Sequence, residues 1–384
     1  MYKRILSVLL AVVLGASCIS VAAAPADAST LELSAPSAIL IEQTTGNVLY
    51  EKNPDERRPL ASVTKVMTML LIMEALDSGK ITLEDKVVAS ERAKSMGGST
   101  IFLDTGEEMS VHDLLKGIAV ASGNDACVAM AEYIAGSEEG FVNMMNARAK
   151  ELGMENTNFV NTNGLDADNH YSSARDIAIM SRELLKHEKI FDYTTIWMDS
   201  LRDGKFQLAN TNKLIRFYKG ANGLKTGSTD KALCCLAGSA MRDNMQLICV
   251  VMAAPTSPQR FADASKMLDY GFANYSIKRI VTKDESLGDA PVVNGMAQTV
   301  PAVAKDDYDT LTAKGADADI KRELVFNEAI PAPVKAGDKI GEIRLSTAEG
   351  PLAAVDIVAA GDVAKMTFGA MLGRTLMAWL GSVR

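Results

Sequence analysis

Pro59-Leu60-Ala61-Ser62-Val63-Thr64-Lys65-Val66-Met67-Thr68-Met69-Leu70-Leu71-Ile72-Met73-Glu74-Ala75-Leu76 is the stretch on which the fold turns. Val66, Met69, Leu70, Met73 and Leu76 recur at helical spacing, with Pro59 ahead of them and Gly79 behind as a stop, so the pattern predicts a helix from about Ser62 to Leu76. It is apolar nearly all round. Such a helix belongs inside a protein, with a sheet and other helices around it.

Both flanks supply them. Ala38 to Glu42 and Val48 to Glu51 are short apolar runs joined by turn residues Thr44 to Asn47, the pattern of a hairpin. Helical segments follow at Val111 to Ala121, Asp125 to Ile134, Glu138 to Leu152 and Ser173 to His187. Strands return at Gly223 to Lys225, Leu233 to Met241 and Leu247 to Ala253, and a last helix covers about Pro258 to Tyr275. Strands, helices, strands and a helix predict an α+β domain whose antiparallel sheet is assembled from both ends and covered by helices.

From about Ser276 to Ala360 short Val- and Ile-rich stretches are broken by Gly, Pro, Asp and Lys, which predicts a small all-β domain. Residues 362–384 read as an amphipathic helix. Met366, Phe368, Ala370, Leu372, Leu376, Met377, Trp379 and Leu380 spread over an apolar arc, with Thr367, Arg374, Thr375 and Ser382 opposite. Such a helix could dock on the β domain or lie on a membrane surface. Its terminal place, its Met, Phe and Trp content and its cations favour the membrane.

At the other end Lys3 and Arg4 precede an apolar run from Ile5 to about Ala16 and small residues through Ala28, the layout of a secretory signal peptide. The expected division is therefore a leader at 1–28, the α+β domain at 29–275, a β domain at 276–361 and an anchoring helix at 362–384. The protein is expected outside the cytoplasm. The position three before Cys18 is Gly15, which argues against lipidation there. Cys127, Cys234, Cys235 and Cys249 could be oxidised in an exported protein, but the favoured reading is small core residues, with Cys234 and Cys235 on opposite sides of a strand.

Composition removes other classes of function. The 384 residues carry a net charge of −8 with no long basic block, which excludes nucleic acid as a partner. Among the three histidines, His112, His170 and His187, none has metal-ligand spacing with another His or with paired cysteines, so no metal or other cofactor is expected.

Without a suitable histidine, an acyl-transfer site needs another base, and lysine serves if it is kept neutral. Ser62 and Lys65 are three apart at a helix start, so their side chains share a face. Burial and a second nearby cation would lower the lysine pKa. The pair alone proves little, because Ser228 and Lys231 match the same Ser-x-x-Lys pattern. Two further patterns occur once each. Ser122-Gly123-Asn124 lies between two helical segments, and Lys225-Thr226-Gly227 lies at the end of a strand-like stretch, where the glycine allows close approach of a substrate backbone. Each has a plain structural use as a cap or a strand end, but that explanation would have to hold three times.

In the order Ser-x-x-Lys, Ser-x-Asn, Lys-Thr-Gly, these motifs resemble the penicillin-recognising serine enzymes, the penicillin-binding proteins and serine β-lactamases. Val66, Met67 and Thr68 after Lys65, the run Ala-Ser-Gly-Asn-Asp-Ala around Ser122, and the spaced set Asn163, Gly164, Leu165, His170, Ser172, Ser173, Ala174 and Asp176 narrow it. The chain is similar to the low-molecular-weight D-alanyl-D-alanine carboxypeptidases of the S11 peptidases.

That resemblance implies a β-lactamase/transpeptidase-like domain, a β domain and a membrane-anchoring tail. The implied substrate is a peptidoglycan stem peptide ending in D-Ala-D-Ala, with β-lactam antibiotics as covalent inhibitors. It implies Ser62 as nucleophile, Lys65 as base, Ser122 as proton relay and Asn124 as a partner of the substrate amide. Lys225, Thr226 and Gly227 would receive the terminal carboxylate, and Ser62 and Ser228 would present backbone N–H groups to the oxyanion. Arg260 would support the carboxylate, although its place on a helix suits an exposed arginine almost as well. His170 tempts as a base, but the resemblance implies that it shapes a loop.

Ser228 departs from the aromatic or histidine often found after Lys-Thr-Gly, and Asp199 to Leu208 is short for this family. Three alternatives stand beside this reading. A β-lactamase would share the motifs, but no Glu-x-x-Leu-Asn stretch lies between Asn124 and Lys225. A D,D-endopeptidase would use the same residues, and a non-catalytic peptidoglycan-binding module would have lost one of them.

Overall fold

Alternation along Met245–Ala254 organises the first part of the protein. In the computed structural model, which describes residues 31–315, 320–348 and 350–381, every residue of this strand is buried. Ile248, Val250 and Met252 enter one hydrophobic core, while Leu247, Cys249 and Val251 enter a second. Successive strand side chains point to opposite faces, so the sheet separates two cores. The expected leader, residues 1–28, lies outside the described residues, and so does Cys18.

Among the described residues this sheet has five antiparallel strands: β1 (Ser37–Glu42), β2 (Val48–Lys52), β3 (Ala221–Thr229), β4 (Leu233–Arg242) and β5 (Met245–Ala254). They lie in the order β2-β1-β5-β4-β3, with Leu40 and Gly238 both opposite Cys249 and Lys225 opposite Ala237. The N- and C-terminal strands of the domain thus meet at its centre. β3 forms an edge and carries Lys225-Thr226-Gly227.

The segment expected as one helix from Ser62 is two pieces, a 3-10 turn at Ala61–Thr64 and α1 at Lys65–Asp77. Ala61, just ahead of the expected start, has a φ of 49°, outside the helical region. Lys65 through Met73, Ala75 and Leu76 are buried, as an all-round apolar helix requires. Around it stand α2 (Val111–Ala121), α3 (Asn124–Ala135), α4 (Glu138–Glu151) and α5 (Ala174–Leu184), and α6 (Ser257–Asn274) covers the other face of the sheet. Ser110, Ser137, Ser173 and Thr256 cap α2, α4, α5 and α6 by accepting backbone N–H groups.

Cys235 faces the first core, while Cys234 packs against the second, and the four described cysteines are unbridged. Burial pushes the Cys127 and Cys249 thiols up to about 12.

After α6 a strand at Tyr275–Val281 pairs with Tyr308–Ala313, and Ile277 and Leu311 pack against the second core. Strands Ser286–Pro291, Thr299–Ala304, Gly350–Ala359, Lys339–Thr347 and Lys321–Phe326 then form an antiparallel sheet in that spatial order around Val300, Ile343 and Ile357.

The tail helix α7 spans Phe368–Gly381, starting later than 362, because Val363 and Lys365 are held in bridges to Val334 and Gly295. Arg374 turns inward and donates to the carbonyls of Gly295 and Met296. The apolar side points away from the β domain: Phe368, Met371, Leu372, Leu376, Met377 and Trp379 are all at least half exposed. Ser382 and the side chain of Leu380 lie outside the described residues. Among the described residues no helix is long and apolar enough to cross a membrane.

Candidate active site

Ser62 sits in the 3-10 turn ahead of α1, half-buried, between two glycines. A Cβ at Gly164 would lie 1.9 Å from the Ala61 carbonyl oxygen, and a Cβ at Gly227 would lie 2.8 Å from the Ser62 nitrogen. No side chain fits at either place. Gly227 therefore lets the edge strand β3 press its backbone against the Ser62 turn.

Lys65 is completely buried. Its Nζ lies 3.0 Å from Ser62 Oγ and donates to Asn124 Oδ1 and to the Asn163 carbonyl oxygen, both at 2.6 Å. Burial pushes the ammonium down to about 8, with Asp125 pulling the other way. A neutral amine has two N–H groups and one lone pair. Asn124 and Asn163 offer only acceptors to it, so they take the two hydrogens and leave the lone pair facing the serine hydroxyl.

Ser122 ends α2 in the left-handed conformation, with φ at 63° and ψ at 34°, and Asn124 starts α3 immediately after Gly123. The reversal at Ser122 ends α2 and places Asn124 at the first position of α3, so the two motif residues sit side by side at the helix junction, both buried. Asn124 contacts more than the sequence suggested: Nδ2 donates to the Gly97 carbonyl and the backbone N–H to that of Ser99. Its neighbour Asp125 is buried and accepts the N–H groups of Ile101, Leu103 and Ala126. Together they fix the 97–103 loop beside the site. Arg202, on the short hairpin Met198–Leu201 and Phe206–Ala209, holds the same loop by donating to the Ile101 and Phe102 carbonyls and pairing with Glu107.

On β3, Lys225 is buried and its Nζ donates to the Thr226 carbonyl at 3.1 Å. Burial, with the Lys65 and Arg260 cations nearby, holds it well below the usual lysine range. Thr226 Oγ1 is 2.6 Å from Thr211 Oγ1. Arg260 is not an exposed helix arginine. It is 4% exposed, and its Nη1 donates to the carbonyls of Gly227 and Cys235 and to Ser228 Oγ, so α6 braces the edge strand from behind. Ser228 is exposed, and its hydroxyl donates to the Gly227 carbonyl. Its chance partner Lys231 points instead to Asp168, 3.7 Å away on the surface.

His170 is not placed to serve as a base for Ser62. Its Nδ1 accepts from Val160 N–H at 3.0 Å and its Nε2 lies 2.8 Å from Thr64 Oγ1, and burial pushes it down to about 4. Sequence reasoning missed Thr64, Asp125, Thr211 and the 97–103 loop. Asp125 stood inside the quoted Ala-Ser-Gly-Asn-Asp-Ala run and Thr64 inside the Ser-x-x-Lys motif, whereas Thr211 and the 97–103 loop carried no signal.

Comparison with known proteins points to one family. Residues 22–256 match the family described as D-alanyl-D-alanine carboxypeptidase, and residues 275–365 match the C-terminal domain of penicillin-binding protein 5. The chain is 48% identical over 355 residues to D-alanyl-D-alanine carboxypeptidase DacF of Bacillus subtilis, covering 91% of each. The solved penicillin-binding protein 5 of Haemophilus influenzae is 32% identical, with a TM-score of 0.72 over 87% of this chain and 98% of that one. Penicillin-binding protein D2 of Listeria monocytogenes, solved in its ampicillin-bound form, is 33% identical, with a TM-score of 0.58 over 63% of this chain and 99% of that one. The protein is an enzyme, a serine-type D-Ala-D-Ala carboxypeptidase, and these matches support that reading over the alternatives. By the residues matched, the identity and the length covered, the chain belongs to the D-alanyl-D-alanine carboxypeptidase family of serine peptidases.

Proposed function

We propose that Ser62 is the nucleophile that removes the terminal D-alanine from peptidoglycan stem peptides through an acyl-enzyme. The observation that carries this reading is the buried Lys65, with two fixed acceptors and its third direction facing Ser62 Oγ. As Oγ bonds to the carbonyl carbon between the two D-alanines, its proton passes to Lys65 Nζ. The resulting oxyanion lies between the backbone N–H groups of Ser62 and Ser228. When the C–N bond breaks, Ser122 relays a proton to the leaving amine and D-alanine departs. Water then cleaves the ester, with Lys65 taking its proton.

Lys225, Thr226 and Gly227 receive the terminal carboxylate, and Arg260 adds positive charge while bracing that strand. Asn124 spends one lone pair on Lys65 and one N–H on Gly97, which leaves one of each for the substrate amide. A β-lactam presents a similar acyl carbon near a carboxylate, so it would acylate the same serine, as the ampicillin-bound Listeria relative supports. The exposed apolar side of α7 suits the outer surface of the cytoplasmic membrane, which residues 1–28 would let the chain reach.

Mass spectrometry of a stem pentapeptide digest tests the reaction. Loss of a single D-alanine is expected. Cleavage of cross-linked dimers without that loss, or an intact pentapeptide, would overturn it.

A further inference from the structure

The carbonyl that precedes the nucleophile is held by a hydrogen-bond chain with one direction. Val160 N–H donates to His170 Nδ1 at 3.0 Å, so Nδ1 holds a lone pair and the ring hydrogen is on Nε2. Nε2 lies 2.8 Å from Thr64 Oγ1, and the Thr64 hydroxyl donates to the Ala61 carbonyl oxygen at 2.8 Å. Since Thr64 has spent its hydrogen, His170 must be the donor between them. Thr64 is 0% and His170 5% exposed, so water does not compete for these groups. Gly164 closes the other side of the same carbonyl, and Ala61 keeps a φ of 49° that a residue with a Cβ holds only under outside constraint.

A peptide unit is planar, and its C=O and N–H point in opposite directions. Whatever fixes the Ala61 carbonyl therefore fixes the Ser62 N–H. We infer that Thr64 and His170 are positioning residues that aim the Ser62 N–H at the developing oxyanion by clamping the Ala61 carbonyl through this chain. The inference rests on the reading of Ser62 as nucleophile and oxyanion donor. The clamp touches no substrate. It acts on a hydrogen bond that matters most in the transition state, so its loss belongs in the chemical step and not in substrate binding.

The test uses the full chain with Thr64→Val, Thr64→Ser and His170→Ala. Turnover and KM on a D-Ala-D-Ala pentapeptide, the acylation rate with a fluorescent penicillin, and melting temperature are measured for each. Complete loss of an oxyanion donor costs about 100- to 1000-fold, so a misaimed one should slow kcat and acylation by about 10- to 100-fold in Thr64→Val and His170→Ala. KM should stay within about twofold, and Thr64→Ser, which keeps the hydroxyl, should acylate within about threefold of wild type. Wild-type acylation by folded Thr64→Val, failure of Thr64→Ser to restore the rate, or a loss confined to KM would each overturn the inference. If Thr64→Val does not fold, His170→Ala and Thr64→Ser decide it by the same criteria. A wild-type protein that forms no adduct on Ser62 would instead overturn the reading beneath it.

Discussion

Two regions place side chains against their solvation preference, in opposite senses. Around Ser62 three cations lie inside, with Lys65, Lys225 and Arg260 at 0, 1 and 4% exposure. On α7 large apolar groups lie outside, with Phe368, Met377 and Trp379 at 75, 76 and 70%. Burial of a cation favours its neutral form, and that turns a lysine into a base. Exposure of an apolar helix face favours whatever removes it from water. The first cost is offset within the chain, by the acceptors around Lys65 and the carbonyls around Arg260. The second is offset, on the proposed reading, by a lipid surface. Local rules of folding give way where function needs them to.

Breaking the buried half should have the largest effect. Lys65→Ala removes the base and should lower acylation and turnover about 100- to 10,000-fold in stopped-flow assays, and a loss under tenfold would deny Lys65 that role. Breaking the exposed half should leave chemistry alone. Truncation after Lys365 removes α7 and should reduce partitioning onto anionic phospholipid vesicles by about tenfold or more, with hydrolysis of a soluble pentapeptide unchanged. Unchanged vesicle binding would remove the anchor.

Acidity sharpens the same contrast. Lys65 is held at about 8, so the neutral base is scarce below that pH. The value of kcat/KM should rise about tenfold per pH unit on the acid side and level off near 8. A flat profile would contradict a lysine base. The smallest effect concerns stability. His170 falls from 6.5 to about 4 on burial, so the folded state disfavours its charged form. That stability is fully present above 6.5 and is lost as pH falls through 4, by at most about 3 kcal/mol. Denaturant titrations at stepped pH should show this loss in wild type and a smaller one in His170→Gln.

What the sequence made legible follows from what each residue does. The core strands and α1 are written in apolar patterns, and the three motifs in residue types whose chemistry is rare in combination. The pattern predicts β3 only at Gly223 to Lys225, because Thr226 to Thr229 bring no large apolar side chain to extend it, although the strand runs Ala221–Thr229 with Thr226 buried. The acceptors that orient Lys65 were hidden, since one is a backbone carbonyl 98 residues away, and Thr64 meets His170 across 106. Arg260 was undecided because an amphipathic pattern does not tell a buried arginine from an exposed one when its partners are carbonyls. The apolar arc of the tail was visible, but a helix docked on protein and one facing lipid share that pattern. The inward turn of Arg374 and the exposure of Phe368, Met377 and Trp379 show which side faces the β domain.

The proposed mechanism requires Ser62 to be the group that carries the acyl chain. Intact-protein and peptide mass spectrometry after brief exposure to a fluorescent penicillin measures this directly. One adduct, on the peptide containing Ser62 and absent from folded Ser62→Ala, is the predicted result. An adduct on another residue, or one that survives Ser62→Ala, would contradict it.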